Sequence, residues 1–322
     1  MTDTWVADTS RLNSRRYAIL GTGALGGFYG ARLQQAGAEV HFLLRGDYDH
    51  VCQHGLVIDS PDGNFVLPHV HAYRHVSDMP QCDVVIVALK TTQNDLLPDL
   101  LVPVLDENGV VLVLQNGLGI EDRVADIVGA HRVIGGVCFI CSNKVSPGHI
   151  RHLDYKAIAL GEYAPGYESC GISDRMSAIA QDFECADIPI DLSPDLLLTR
   201  WKKLVWNIPF NGLSVVLDAT TQEMMAHSNS RKLVQQLMGE VADIANAYGR
   251  PISDDFVQTM IDHTDDMTPY RTSMKIDYDE HRPLEVEAIV GHPLRLAHQA
   301  GVSAPRIEML YQQLTFLDER NR

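Results

Sequence analysis

The stretch "ILGTGALGGFYGARLQQAG", residues 19–37, sets Gly21, Gly23 and Gly26 between a short apolar run and a segment that reads as helix. This is the spacing G-x-G-x-x-G. Between a strand and a helix, the first glycine permits a tight turn, and the second lets a pyrophosphate approach the backbone closely. The helix N-terminus that follows offers amide donors and a dipole that favours an anion. Glycines also occur in strand-to-helix turns for packing alone, so the surrounding chain has to decide between the readings.

That chain alternates short β-rich runs with helix-like stretches. "YAILG" is followed by the helix after Gly23, then by "EVHFLLR", "DVVIVALK", "VVLVLQNG" and "RVIGGVCFI". The alternation predicts a parallel sheet with crossover helices, a Rossmann-type α/β domain. "GHIRHL" and "AIALGEY" extend the same sheet, and a helix is expected near 173–183. The context favours a dinucleotide cradle formed by Gly21, Thr22, Gly23, Ala24, Leu25 and Gly26.

Beyond "PIDLSPDLLL" the pattern changes. Ser193 and Pro194 suit an N-cap and first turn, and nearly everything after them reads as helix. Leu233, Leu237 and Val241 recur at four-residue spacing in a helix expected to stop at Gly249, with Pro251 just beyond. The expected organisation is a polar, mobile tail at 1–14, a nucleotide-binding domain at 15–192 and an all-helical domain at 193–322.

Charge and composition narrow the function further. The net charge of −16 opposes binding to nucleic acid or to an anionic membrane surface. Apolar runs such as "VVIVAL" are strand-length, far short of the roughly 20 residues that span a bilayer. The first residues lack an apolar signal core, so a cytoplasmic protein is expected. Six cysteines lie at 52, 82, 138, 141, 170 and 185 without a disulfide framework, and no second pair or histidine cluster joins Cys138 and Cys141 in a metal site. Reduced thiols and no metal are expected.

The end of the second predicted strand selects the cofactor. An NAD site usually carries a carboxylate there for the ribose hydroxyls, whereas "FLLRGD" ends its strand on Arg45, which favours NADP. Asp47, two residues on, is the competing ribose ligand.

With these motifs in place, the chain resembles the ketopantoate reductase family from about residue 17 to 316. The likeness lies in a series: "GTGALGG", "LK" at 89–90, "QNGLG" at 115–119, "PGHIRH" at 147–152, "WKKLVWN" at 201–207, and "TSMKID" followed by "HRPLEVEAIVG". It implies reduction of a small 2-keto acid by NADPH, with the active site between a Rossmann domain and a helical domain of the 6-phosphogluconate dehydrogenase C-terminal type. It also implies Lys203 as proton donor and Glu285 as its acidic partner. Asn207, Asn211 and Ser273 fall on substrate positions, and Lys90 and Asn116 on cofactor positions of the Rossmann side. Two positions depart from the family pattern: Thr221 and Gln222 replace an asparagine turn, and Tyr270 replaces a second polar residue. Ketopantoate leads as substrate, with another branched or aromatic 2-keto acid, or a non-catalytic NADP-binding sensor, as alternatives. A homodimer is compatible with this reading.

Spacing gives an independent view of the helical residues. Positions 203, 207 and 211 are i, i+4 and i+8, so on one helix an amine and two carboxamides share a face. Trp201, Leu204, Val205, Trp206, Ile208 and Phe210 make the rest of that helix apolar. Polar groups so placed need partners, either a ligand or neighbouring helices, and spacing leaves both open. Pro209 is expected to kink the helix or end it early.

Overall fold

A computed structural model describes residues 15–267 and 271–322; the expected tail at 1–14 and Tyr270 lie outside the described residues. The chain divides into two compact units. One runs to Gln115 and resumes over Ile120–Leu196; the other joins Asn116–Gly119 to Leu197–Arg322.

In the first unit the elements are β1 (Arg16–Leu20), α1 (Ala24–Gln35), β2 (Glu39–Leu43), α2 (Tyr48–His54), β3 (Leu56–Asp59), β4 (Phe65–Leu67), β5 (His71–Tyr73), β6 (Cys82–Val87), α3 (Leu97–Val104), β7 (Leu105–Val113), α4 (Ile120–Val128), β8 (Val133–Ser146), β9 (His149–Glu162), α5 (Asp174–Cys185) and β10 (Ile190–Leu192). The sheet order is β4-β3-β9-β8-β7-β6-β1-β2-β5, with β10 paired to β9. β1 runs parallel to β2 on one side and to β6 on the other. Tyr17, Ala18, Ile19 and Leu20 are fully buried, which is why this strand is a continuous apolar run rather than an alternating one.

Several expectations are refined. "GHIRHL" and "AIALGEY" belong to one long strand, β9, which pairs antiparallel with β8. The short strands β3, β4 and β5 were not anticipated; three or four residues are too few to show a period. β2 stops at Leu43, so Arg45 is not its last residue but lies two positions beyond, where the chain turns outward and the side chain is exposed.

The second unit holds α6 (Leu196–Val216), α7 (Thr221–Ala226), α8 (Ser228–Ala247), α9 (Asp254–Asp266), α10 (Ser273–Asp279), a π-helical turn at Glu287–Gly291, α11 (His292–Ala300) and α12 (Pro305–Asn321). One reading needs correction, and one alternative is removed. Ser193 and Pro194 stand between β10 and α6, and the helix starts later than expected, at Leu196: the Ser193 amide continues the β10 pairing by donating to Leu160 O at 2.8 Å, while its Oγ accepts from Asp195 N at 3.3 Å. Pro209 does not end the helix, which is continuous from Leu196 to Val216. The fully buried Trp201, Val205, Ile208 and Phe210 hold it along its length, and that packing outweighs one missing amide donor. α8 does stop where expected, with Gly249 at φ +71°.

Candidate active site

The glycine loop joins the C-terminal end of β1 to the N-terminus of α1, and each glycine has its own steric reason. Gly21 sits at φ +103°, and a β-carbon there would lie 2.5 Å from Leu89 N. A β-carbon on Gly26 would lie 2.4 Å from Gly21 O and 2.9 Å from the Ala88 β-carbon, so helix and strand could not pack as closely. Gly23 differs, because nothing lies within 4 Å of its β-carbon position. It is also the N-cap of α1, and no side chain caps the helix. Open space in front of uncapped amides is what an incoming pyrophosphate requires.

Other cofactor candidates flank this loop. Thr22 Oγ1 donates to Leu43 O at 3.0 Å, tying the loop to the end of β2 and so to the segment that carries Arg45. Lys90 follows β6 and opens a short 3-10 turn, next to the Leu89 backbone that abuts Gly21. Gln115 Nε2 donates to Leu89 O at 2.8 Å and to Asn94 Oδ1 at 2.7 Å, fixing the 89–90 step. Ala24 and Leu25 form the first turn of α1. Asp47 is already engaged: its Oδ2 accepts from Gly148 N at 3.0 Å and lies 2.5 Å from Lys144 Nζ.

Asn116 was expected on the Rossmann side, but residues 116–119 group with the helical unit. The π turn explains how. His292 N bonds back five residues to Glu287 O, and the residue five beyond Ala288 is Pro293, which has no amide hydrogen. The Ala288 carbonyl therefore lacks an intrahelical donor, and it accepts from Leu118 N at 2.9 Å. Gly117, at φ +106°, makes room: a β-carbon there would lie 2.5 Å from Ala288 O.

Glu285 lies two residues before this π turn and is 5% exposed. Its carbonyl accepts from Ile289 N at 3.2 Å, and the Leu284 amide donates to Asp318 Oδ1 at 2.8 Å, so its backbone is held from both sides. On α6, Lys203 is half-buried with Nζ 5.6 Å from the centre of the Trp206 ring, while Lys202 points to the exposed side over Phe256.

Asn207 and Asn211 are each 3% exposed. Asn211 and Ser273 are brought together: Asn211 Oδ1 accepts from Met274 N at 3.3 Å and from Ser273 Oγ at 3.5 Å, at the start of α10. The open choice from spacing thus resolves differently for the two atoms of Asn211. Its oxygen serves a neighbouring helix, while its nitrogen, like the whole Asn207 carboxamide, donates to no described residue. Thr221, at a position that departs from the family pattern, is buried in the first turn of α7.

Sequence reading missed two residues of this cluster, Ser214 and Thr272, both fully buried and paired at 2.7 Å. Ser214 falls three residues after Asn211, so extending the 203–207–211 series by i+3 finds it. Among the described residues no group of histidine, cysteine or carboxylate side chains could hold a metal ion, and no helix is long and apolar enough to cross a membrane.

Two family descriptions match this chain: "Ketopantoate reductase PanE/ApbA" over residues 17–165 and "Ketopantoate reductase PanE/ApbA C terminal" over residues 195–318. A 2-dehydropantoate 2-reductase of Nostoc sp. is 63% identical over 311 residues, covering 97% of this chain and 98% of its own. The crystal structure of 2-dehydropantoate 2-reductase from Geobacter metallireducens superposes with TM-score 0.90 at 44% identity, covering 94% of this chain and 99% of that one. The corresponding enzyme of Methylococcus capsulatus gives TM-score 0.85 at 30% identity, over 95% and 97% of the two chains.

Proposed function

The chain belongs to the ketopantoate reductase family, and on that premise we propose that it reduces 2-dehydropantoate to pantoate with NADPH, a step of pantothenate biosynthesis. The observation that carries this reading is the face of α6: a half-buried amine, Lys203, followed at one-turn intervals by two buried carboxamides with donors unused by the described residues. Amide donors that no described residue engages are available to a small ligand rich in acceptor oxygens. A 2-keto acid is such a ligand.

Reduction needs hydride at C2 and a proton on the oxygen that becomes the hydroxyl. The bound nicotinamide supplies the hydride. Lys203 gives the proton and, while still cationic, stabilises the negative charge developing on that oxygen. Asn207 and Asn211 orient the substrate by donating to its carboxylate and keto oxygens, Ser273 adds a hydroxyl beside Asn211, and Glu285 is the acidic partner of the lysine.

The residues present fit the cofactor. The uncapped start of α1 and the open space at Gly23 suit the pyrophosphate, with Gly21, Thr22, Ala24, Leu25 and Gly26 shaping the loop around it. Arg45 and Lys90 serve the 2′-phosphate of NADPH, and Asn116 contacts the nucleotide. The engagement of Asp47 with Lys144 and Gly148 supports NADPH over NADH, because the competing carboxylate is occupied. The reading assigns the nucleotide to residues 15–192 and the keto acid to 193–322, in a cytoplasmic enzyme. Spectrophotometric assay of NADPH consumption with ketopantoate and a panel of branched and aromatic 2-keto acids tests it. Ketopantoate is expected to give the highest kcat/KM, and no oxidation with any of them removes the proposal.

A further inference from the structure

Ser214 and Thr272 are both fully buried, and the structure gives each hydroxyl a defined hydrogen-bond direction. Ser214 Oγ donates to Asn211 O at 2.9 Å, so its hydrogen is used. In the 2.7 Å contact between the two hydroxyls, Thr272 must then be the donor. Thr272 Oγ1 in turn accepts from Lys275 N at 3.2 Å, as the N-cap of α10. A directed chain therefore runs from the Lys275 amide through Thr272 and Ser214 to the Asn211 carbonyl. It fixes the first turn of α10 against one point of α6.

That same turn presents the Met274 amide to the Asn211 side chain. An amide hydrogen can only donate, so the carboxamide atom facing it is the oxygen, and the nitrogen points the other way. We infer that Thr272 and Ser214 are positioning residues that lock Asn211 with its amide donors turned toward the ligand, so that this point of the site accepts carboxylate or carbonyl oxygens and disfavours donors. The inference rests on the proposed 2-keto acid reductase activity. Neither hydroxyl touches substrate; each acts through Asn211 and the placement of Ser273.

Removing the Thr272 hydroxyl breaks the chain at its middle and loosens the turn that holds the Asn211 oxygen. Thr272→Val, close to isosteric, is expected to raise KM for the keto acid about tenfold, the effect of one misplaced hydrogen bond, with NADPH affinity within twofold of wild type. Thr272→Ser keeps the hydroxyl and is expected to restore KM to within threefold. Ser214→Ala is expected to raise KM similarly, and the double variant no further than either single one, because the two act as a unit.

Asn211→Asp separates positioning from plain structural support. The aspartate keeps an oxygen on the Met274 amide, and its charge suits a helix N-terminus, so thermal stability is expected to hold or rise. Its second oxygen replaces the donor that faces the ligand, and KM for the anionic keto acid is expected to rise at least tenfold. Wild-type KM in both Thr272→Val and Asn211→Asp overturns the inference, as does a Thr272→Val defect that Thr272→Ser does not relieve. If Thr272→Val fails to fold, the Asn211→Asp result decides alone. A wild-type protein that reduces no 2-keto acid removes the parent reading and this inference with it, whereas an active wild type with silent variants removes the inference only.

Discussion

Lys144 Nζ lies 2.5 Å from Asp47 Oδ2, and the same oxygen accepts the Gly148 amide, so the carboxylate nearest the end of β2 is spent inside the sheet unit. Arg45, two residues beyond the end of β2, is exposed, and the proposed function gives it the 2′-phosphate of NADPH. Arg45→Ala is expected to weaken NADPH by about 1.5–3 kcal/mol, the usual worth of a hydrogen bond to a charged group, while leaving NADH nearly unchanged. Titration of both cofactors checks this; equal wild-type affinities for the two would exclude the role given to Arg45.

The glycines of the first loop divide into those with a crowded β-carbon position, Gly21 and Gly26, and one with open space, Gly23. Gly23 has φ −93° and ψ −155°, an extended conformation open to any residue, with no neighbour at its β-carbon. Gly23→Val is therefore expected to leave the melting temperature within a few degrees and abolish cofactor binding. Gly21→Val meets the Leu89 and Ala88 backbone and is expected to compromise folding itself. Calorimetry beside cofactor titration separates the two, and a folded Gly23→Val protein with wild-type NADPH affinity would reduce the loop to a turn.

Lys203 and Lys202 are adjacent in sequence but about 100° apart around α6. Lys202 is exposed, with Nζ 5.6 Å from the centre of the Phe256 ring, a contact of small energetic weight at an exposed site. Lys203→Ala is expected to lower kcat by roughly 10²- to 10⁴-fold with little change in cofactor affinity, and Lys202→Ala to be nearly silent. A larger defect at Lys202 would move the whole polar face and reassign Asn207 and Asn211.

Gly117 is a stability prediction with a local cause. Its φ of +106° and the 2.5 Å approach of Ala288 O make Gly117→Ala both strained and crowded. A loss of about 1–3 kcal/mol is expected in denaturant unfolding. An unchanged midpoint would show that the segment 116–119 does not depend on the π turn.

The thiols give a chemical check on burial. All six cysteines are free; Cys52 and Cys170 are exposed, and Cys82, Cys138 and Cys141 are buried. Burial pushes the Cys82 thiol up to about 12, so little thiolate forms at pH 8. Reaction of the native protein with a disulfide reagent is expected to label Cys52 first. Cys170 should follow more slowly, because partial burial and the nearby Glu162 and Glu168 carboxylates raise its pKa. Rapid labelling of Cys82 would contradict the packing of β6.

The strands flanking the glycine loop were legible because each is long enough, and buried enough on both faces, to be read as an apolar run. β3, β4 and β5 were not, since three or four residues show no period. The start of α6 falls a few residues later than the local chemistry of Ser193 and Pro194 indicates, because the Ser193 amide still belongs to the sheet through Leu160 O, 33 positions back in β9, and only its Oγ turns to the Asp195 amide. The early helix end that Pro209 offered as an alternative does not occur, for a related reason. A proline weakens a helix by a local amount, and the buried apolar contacts that offset it come from residues distant in sequence.

The sequence by itself determined the order of the longer elements, the glycine fingerprint and the polar face at 203, 207 and 211, because each depends on residues within a few turns of one another. Tertiary structure decided the rest. It withdrew Asp47 by bringing Lys144 and Gly148 across about a hundred residues, and seated residues 117–119 on a carbonyl that the π turn and Pro293 leave without a helical donor. It also turned the oxygen of Asn211 toward the Met274 amide and its nitrogen away. A side chain's residue type fixes which hydrogen bonds it can make, but which of them remain available to a ligand depends on partners that only folding delivers.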